Sequence, residues 1–203
     1  MMDKIITIGR EHGSGGRAVG KRVAQKLGID YYDGLIVSEA ARAGGLDEKL
    51  AKAYDEKPTS TLLYALSLSF SVPGITHTAP VVPIGEQVYY AQCEFIRRCA
   101  DKPCVIVGRC ADYILAGRPN LYRVFVRADL EDRVRRIMST YEYSEEKARE
   151  VIRKTDKERA NYYNYHTDKA WGDMRNYDLC LSSSGLDLDV AADLVIKFAE
   201  SRA

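Results

Sequence analysis

Three glycines and a serine fill positions 13–16 of the stretch GREHGSGGRAVG, and Arg17 follows directly. Glycine admits positive φ and lets backbone N–H groups come close to an anion. A helix starting at this point adds free N–H donors and a partial positive charge. Gly13, Ser14, Gly15, Gly16 and Arg17 therefore read as a phosphate cradle, with a guanidinium able to contact two phosphate oxygens. His12, just ahead of the glycines, is placed either to contact a phosphate or to cap the loop.

Two kinds of phosphate loop compete for these residues. Gly13, Gly15 and Ala18 fit the GxGxxA form of a dinucleotide-binding loop, and Asp33 stands where a ribose-binding acid would be wanted. In that loop the glycines follow the strand almost at once. Here Gly9, Arg10, Glu11 and His12 intervene after Ile8. A loop of about eight residues suits a P-loop, which wraps around a phosphate. Aligning Gly16-Arg17 with the GK of GxxxxGK[ST] puts Glu11 at the first glycine and Ala18 at the Ser/Thr. That general pattern is thus broken at three positions, and the Mg2+-binding hydroxyl is absent.

Further candidates lie downstream. Arg109 follows the apolar run CVIVG, at the carboxyl edge where open α/β sheets bind ligands. Asp112, shortly after it, reads as a helix N-terminal charge or a metal ligand. Arg133, Arg136, Arg153 and Arg159 sit on helices rich in Glu and Asp, where solvated i,i+4 pairing is the default. Of these only Arg159 is favoured for phosphate, held away from the site by the acids of its helix until a lid closes. Tyr162, Tyr163 and Tyr165 are expected to pack that lid against the body.

The elements that must position these groups alternate. Residues 4–8 (KIITI) read as a buried strand, RAVGKRVAQKLG as a helix stopped by Gly28, and Tyr31-Tyr32 as a second strand ending at Asp33. This is the opening of a parallel α/β sheet. Residues 35–101 are helix-like and broken by prolines, so about 35–85 is expected to be an inserted helical lobe, with SVPGITHTAPVVPIG irregular and EQVYYAQCEFIRRCA an amphipathic helix. The sheet resumes with CVIVG (104–108), LYRVFV (121–126) and YDLCLSSS (177–184). DLEDRVRRIMSTY, SEEKAREVIRKTDKERANYY and LDVAADLVIKFAES read as helices.

Composition narrows the classes. The 203 residues suffice for one domain with a core of its own. Lys+Arg of 30 against Asp+Glu of 29 argues against a nucleic-acid binder. No apolar stretch approaches a membrane span or a signal peptide core. The five cysteines, without CxxC spacing, read as reduced thiols of a cytoplasmic protein.

IGREHGSGGRAVGKRVAQKLGIDYYDGLI and PCVIVGRCADYIL resemble the cytidylate kinase-like family, whose loop has the form REYGSGGR and carries arginine at the usual lysine position. The resemblance implies the P-loop nucleotide kinase fold: α/β, a five-stranded parallel sheet flanked by helices, an inserted helical lobe and a lid at about 140–170. It implies ATP and Mg2+ as cofactors and transfer of the γ-phosphoryl group to a nucleoside monophosphate or similar small acceptor. Under it, Asp33 falls near the acid opening the monophosphate lobe, and Arg109 holds the acceptor phosphate. Asp156 and Arg159 match the spaced acid and arginine of the lid helix, and LCLSSSG matches the last strand, where adenine commonly sits. The sequence departs at Val107 and Cys110, where the family has acids, which leaves Asp112 as the nearest carboxylate for magnesium. These departures keep open a catalytically inactive nucleotide-binding regulatory protein. The GSGGRA run with Asp33 keeps open a dinucleotide-dependent oxidoreductase.

Overall fold

A computed structural model describes residues 4–45, 47, 49 and 82–201. Its strands are β1 (Ile5–Arg10), β2 (Asp30–Tyr32), β3 (Cys104–Val107), β4 (Leu121–Arg127) and β5 (Leu179–Ser182). They form one parallel sheet in the order β2-β3-β1-β4-β5. The helices are α1 (Gly16–Leu27), α2 (Leu35–Ala43), α3 (Ile84–Cys99), α4 (Ala111–Ile114), α5 (Leu130–Tyr141), α6 (Glu145–Thr167) and α7 (Leu188–Ser201).

The central strand β1 shows why the apolar runs are nearly unbroken: helices cover both faces of the sheet. Ile6 and Ile8 face one side, with Val19 and Val23 of α1 and Ala191 and Val195 of α7. Ile5 faces the other, with Ile36 of α2, Ile96 of α3 and Ile106 of β3. All of these side chains are buried. Gly20 brings α1 close to the sheet, since a Cβ there would lie 3.0 Å from the Ile8 Cδ1.

β1 runs two residues further than KIITI predicts, because Gly9 and Arg10 pair with Phe125 and Val126 of β4. Neither residue carries a strand signal. Gly9 is there for space: a Cβ would stand 2.8 Å from the Phe125 ring. The loop before α1 is therefore only residues 11–15, shorter than the sequence suggests.

α2 and α3 bound the expected helical insertion and pack on each other. The rest of that lobe, including most of SVPGITHTAPVVPIG, lies outside the described residues. α6 begins where Ser144 predicts, its hydroxyl accepting from the Lys147 N–H at 3.3 Å. α5 and α6 join through Val134, Ile137, Ala148 and Ile152. Cys93, Cys99, Cys104 and Cys110 are buried free thiols, while Cys180 is exposed. No helix among the described residues is long and apolar enough to cross a membrane.

Candidate active site

The carboxyl ends of β1, β3 and β4 meet at the glycine loop. Gly13 and Gly15 both have φ of 80°, a conformation that costs a side-chain-bearing residue roughly 1–2 kcal/mol. Space adds to this requirement. A Cβ at Gly13 would lie 2.9 Å from the Arg133 carbonyl oxygen, and one at Gly16 would lie 2.6 Å from the Arg10 Cβ. Gly15 caps α1, so the glycines lead into a helix N-terminus whose first amides precede any intrahelical acceptor.

The loop is fixed from outside by its carbonyls. Ser183 Oγ donates to the Ser14 carbonyl at 2.5 Å, and Arg136 donates to the Gly13 carbonyl at 3.1 Å. Arg133 Nε donates to the His12 carbonyl at 2.7 Å. The Ser14 hydroxyl turns inward and accepts the Gly16 N–H at 3.3 Å. With its carbonyls held outward, the loop keeps its N–H-rich side for an anion.

Arg133 and Arg136 correct the expectation of solvated i,i+4 pairs. Arg133 is buried and pairs with Glu11 at 3.4 Å and with Asp156. Glu11 also accepts the Ala128 N–H at 2.9 Å, so the residue at the missing first glycine ties the loop to β4. Asp156 Oδ1 accepts the His12 N–H at 2.7 Å. That carboxylate, matched by the resemblance to the acid of the lid helix, thus fastens α6 to the glycine loop. Arg153 is exposed, as expected.

Just beyond β3, Gly108, Arg109 and Cys110 take φ of 80°, 55° and 55° in succession. Left-handed non-glycine residues cost about 1–3 kcal/mol each and gather at functional sites. The turn folds Arg109 back into the protein, where it is 5% exposed. Its Nη1 donates to the Val107 carbonyl at 3.2 Å and to Asp33 Oδ1 at 3.5 Å. The other Asp33 oxygen pairs with Arg17, whose side chain is otherwise 74% exposed and whose guanidinium is pushed above its ordinary value chiefly by that carboxylate. Asp33 therefore connects the loop's cation to the β3 arginine.

Beside this lies a cleft whose charged lining is Arg10, Arg109, Asp112 and Arg159. Tyr163, Trp171 and Tyr177 form its aromatic wall. Arg159 Nη1 donates to the Arg10 carbonyl at 3.3 Å. It therefore already stands at the site, and the expected holding-away by the acids of α6 is corrected. Three acids of α6 are engaged elsewhere: Asp156 by the loop, Glu145 by Arg149 and Glu150 by Lys147. Tyr163 donates to Asp112 Oδ2 at 2.7 Å. Burial pushes the Asp112 carboxyl above the usual range and outweighs that bond. Both tyrosine hydroxyls, Tyr163 and Tyr177, are pushed up by burial. Tyr162 and Tyr163 are buried, packing α6 on the body, whereas Tyr165 is exposed. Among the described residues no three His, Cys, Asp or Glu side chains gather in a cage for a metal ion.

The strand order, with β3 between β2 and β1, differs from the 3-2-1-4-5 order of dinucleotide-binding sheets. It is the fold of P-loop kinases. A gluconokinase from Sinorhizobium meliloti superposes with a TM-score of 0.53 at 11% identity, covering 98% of this chain and 93% of that one. A shikimate kinase from Acinetobacter baumannii, in complex with shikimate, gives 0.51 at 13% identity, covering 98% and 93%. A crystal structure of an uncharacterized protein from Eubacterium ventriosum gives 0.74 at 30% identity, covering 98% and 99%. No curated protein sequence matches. The model of the cytidylate kinase-like family matches residues 5–185, and the chain belongs to that family.

Proposed function

We propose that this protein is a cytidylate-like kinase of the cytoplasm, transferring the γ-phosphoryl group of ATP to a nucleoside monophosphate or similar small acceptor. The observation that carries this reading is the meeting of an outward-anchored glycine loop with a buried arginine cleft at one sheet edge. Phosphoryl transfer asks the protein for alignment and charge neutralisation rather than covalent chemistry. The amides of Gly13, Gly15 and Arg17 hold the donor phosphates, joined by that of Gly16 when it leaves the Ser14 hydroxyl, and Arg17 swings from Asp33 to join them. Arg109 holds the acceptor, with Asp33 fixing its guanidinium. Arg159, anchored on the Arg10 carbonyl, faces the charge that develops on the transferring group.

The glycine loop fits the phosphates of ATP, since its positive φ values and close contacts exclude side chains and let an anion approach the backbone. The fit to Mg2+ is poorer: Ala18 has no hydroxyl, and Asp112 is buried beneath the Tyr163 bond. Mg2+ supplies charge neutralisation on the donor phosphates when bound, and Asp112 is the protein carboxylate nearest to the expected position by sequence. The same two features favour the second reading, a nucleotide-binding regulatory protein.

A thermal-shift panel of ATP, GTP, nucleoside monophosphates and NAD(P), with and without Mg2+, tests the class. ATP should stabilise the fold by mass action, monophosphates should add to it, and NAD(P) should do neither. Preference for NAD(P) over ATP would end the kinase reading.

Arg17→Ala sharpens the test. Because the side chain is mostly exposed, the melting temperature should change little. ATP affinity should fall about 10- to 100-fold, as expected for a lost charge-assisted bidentate contact of roughly 1.5–3 kcal/mol. Adenosine affinity should stay the same, and Arg17→Lys should recover part of the loss. Equal losses for adenosine and ATP, measured calorimetrically, would contradict the phosphate role.

A further inference from the structure

Asp112 is the single carboxylate among the described residues lining a cleft whose other charges are Arg10, Arg109 and Arg159. A site for a bare polyanion has no use for it, since a carboxylate beside a bound phosphate repels it. The two kinds of charge have different anchors. Arg159 bonds the carbonyl of Arg10 at the end of β1, and Arg109 follows β3, which pairs with β1. Asp112 is held by Tyr163, whose hydroxyl donates to Oδ2 at 2.7 Å. The cations whose charge reaches it most are Lys169 and Arg123, which are not part of the cleft lining.

The acidic end of the cleft is built to hold its shape. Tyr163 is buried, and its hydroxyl is bonded to that of Tyr177, which also takes the Gly172 N–H. Trp171, next in the wall, sits edge-on to Phe125 at 5.6 Å, and its backbone N–H donates to Asn164 Oδ1 at 2.8 Å. An ionised carboxylate has acceptor sites only. Tyr163 uses Oδ2, and it is the one side chain among the described residues that donates to Asp112. Burial pushes this carboxyl up, the cost of a charge with few partners, and a donor on a ligand would relieve it.

We propose that Asp112 is a specificity-determining residue for the acceptor: its Oδ1 accepts a hydrogen bond from a neutral donor, a hydroxyl or an amino group, of a molecule whose anion is held by Arg109 and Arg159. This rests on the reading of the cleft as the acceptor site. It requires an acceptor that is anionic at one end and carries a donor at the other. In a nucleoside monophosphate that donor has two sources, the sugar hydroxyls and the amine of the base. It also gives Asp112 a use other than Mg2+, for which the fit is poorer.

The test is steady-state transfer from ATP with the full chain. The monophosphate that it phosphorylates best is compared with its 2′,3′-dideoxy form and with the analogue whose base lacks the amine, as UMP does beside CMP. One of the two analogues should lose about 10- to 100-fold in kcat/KM, the worth of a hydrogen bond to a charged group. Loss with the dideoxy form names the hydroxyls, and loss with the other names the amine. The amide of Asp112→Asn has one acceptor, which Tyr163 requires, so its donor nitrogen stands where Oδ1 stood. In that variant the best acceptor should fall to the level of the disfavoured analogue, through KM. The ATP KM and the Mg2+ requirement should hold. If the amine is the donor, the variant should prefer the base that carries a carbonyl instead. Tyr163→Phe is the second variant, should Asp112→Asn not fold: it leaves the carboxylate but not its anchor, and the acceptor KM should rise with the ATP KM unmoved.

Equal kcat/KM for all three acceptors in wild type would overturn the proposal and leave the kinase reading standing. So would an Asp112→Asn protein that keeps the wild-type preference, or a Tyr163→Phe protein with an unmoved acceptor KM. A raised Mg2+ requirement with the preference intact would make Asp112 a metal ligand and overturn it too. No transfer to any nucleoside monophosphate would overturn both readings.

Discussion

Gly15→Val should lose at least about 100-fold in ATP affinity, about 2.8 kcal/mol, while remaining folded. Valine is poorly suited to φ of 80°, and its Cβ would stand 2.9 Å from the Leu188 Cδ2. The Leu188 methyl is the tip of a flexible side chain and can yield. The φ cannot be relieved so cheaply, because the loop is tied at the Ser14 and Gly13 carbonyls by Ser183 and Arg136. Strain at Gly15 is therefore released by rotating its peptides, which turns the amides of Gly15 and Gly16 away from an anion. The melting temperature should fall only modestly, since no core side chain changes. Calorimetry with MgATP beside a circular-dichroism melt checks both halves. Unchanged affinity in a folded variant would mean that the loop is an ordinary turn.

The arginines of the cleft should separate in kinetics. Arg159→Ala should lower kcat about a thousandfold, the low end of what an arginine facing transferring charge supplies, with little change in the acceptor KM. Arg109→Ala should instead raise the acceptor KM about 10- to 100-fold, since a preformed guanidinium binds the acceptor before and during transfer. Arg109 also partners the buried Asp33, and breaking a buried pair costs about 3–5 kcal/mol. Arg109→Lys keeps that charge and distinguishes loss of fold from loss of acceptor binding. An Arg159→Ala protein of full activity would remove Arg159 from the transfer step.

These expectations depend on unequal contributions from sequence and structure. The five strands were legible because a sheet covered on both faces demands apolar runs such as CVIVG and LYRVFV, which leave little ambiguity. The glycine loop was legible because three glycines in four positions ahead of a helix have few uses besides a tight, positive-φ turn. Gly9 and Arg10 were missed as strand residues because pairing with β4, a purely backbone matter, decides their state. Arg133 and Asp156 were misplaced for another reason. On a charged helix every arginine has an acid three or four positions away, so local pairing always offers a sufficient account. Only the docking of α5 and α6 beside the loop shows that Arg133 pairs across 23 residues with Asp156 and not along its own helix. The folding back of Arg109 was likewise invisible, because two successive non-glycine residues at positive φ have no sequence signature.

The central claim is that the loop and the cleft act on one reaction, and transfer from γ-labelled ATP measures this directly. The full chain is incubated with Mg2+, ATP and each nucleoside monophosphate in turn, and label is followed into the diphosphate. The account predicts labelled diphosphate from at least one of them, CMP foremost, with the label lost in Arg159→Ala. ATP binding with no label transferred to any monophosphate would contradict the nucleoside monophosphate kinase reading and favour the regulatory one.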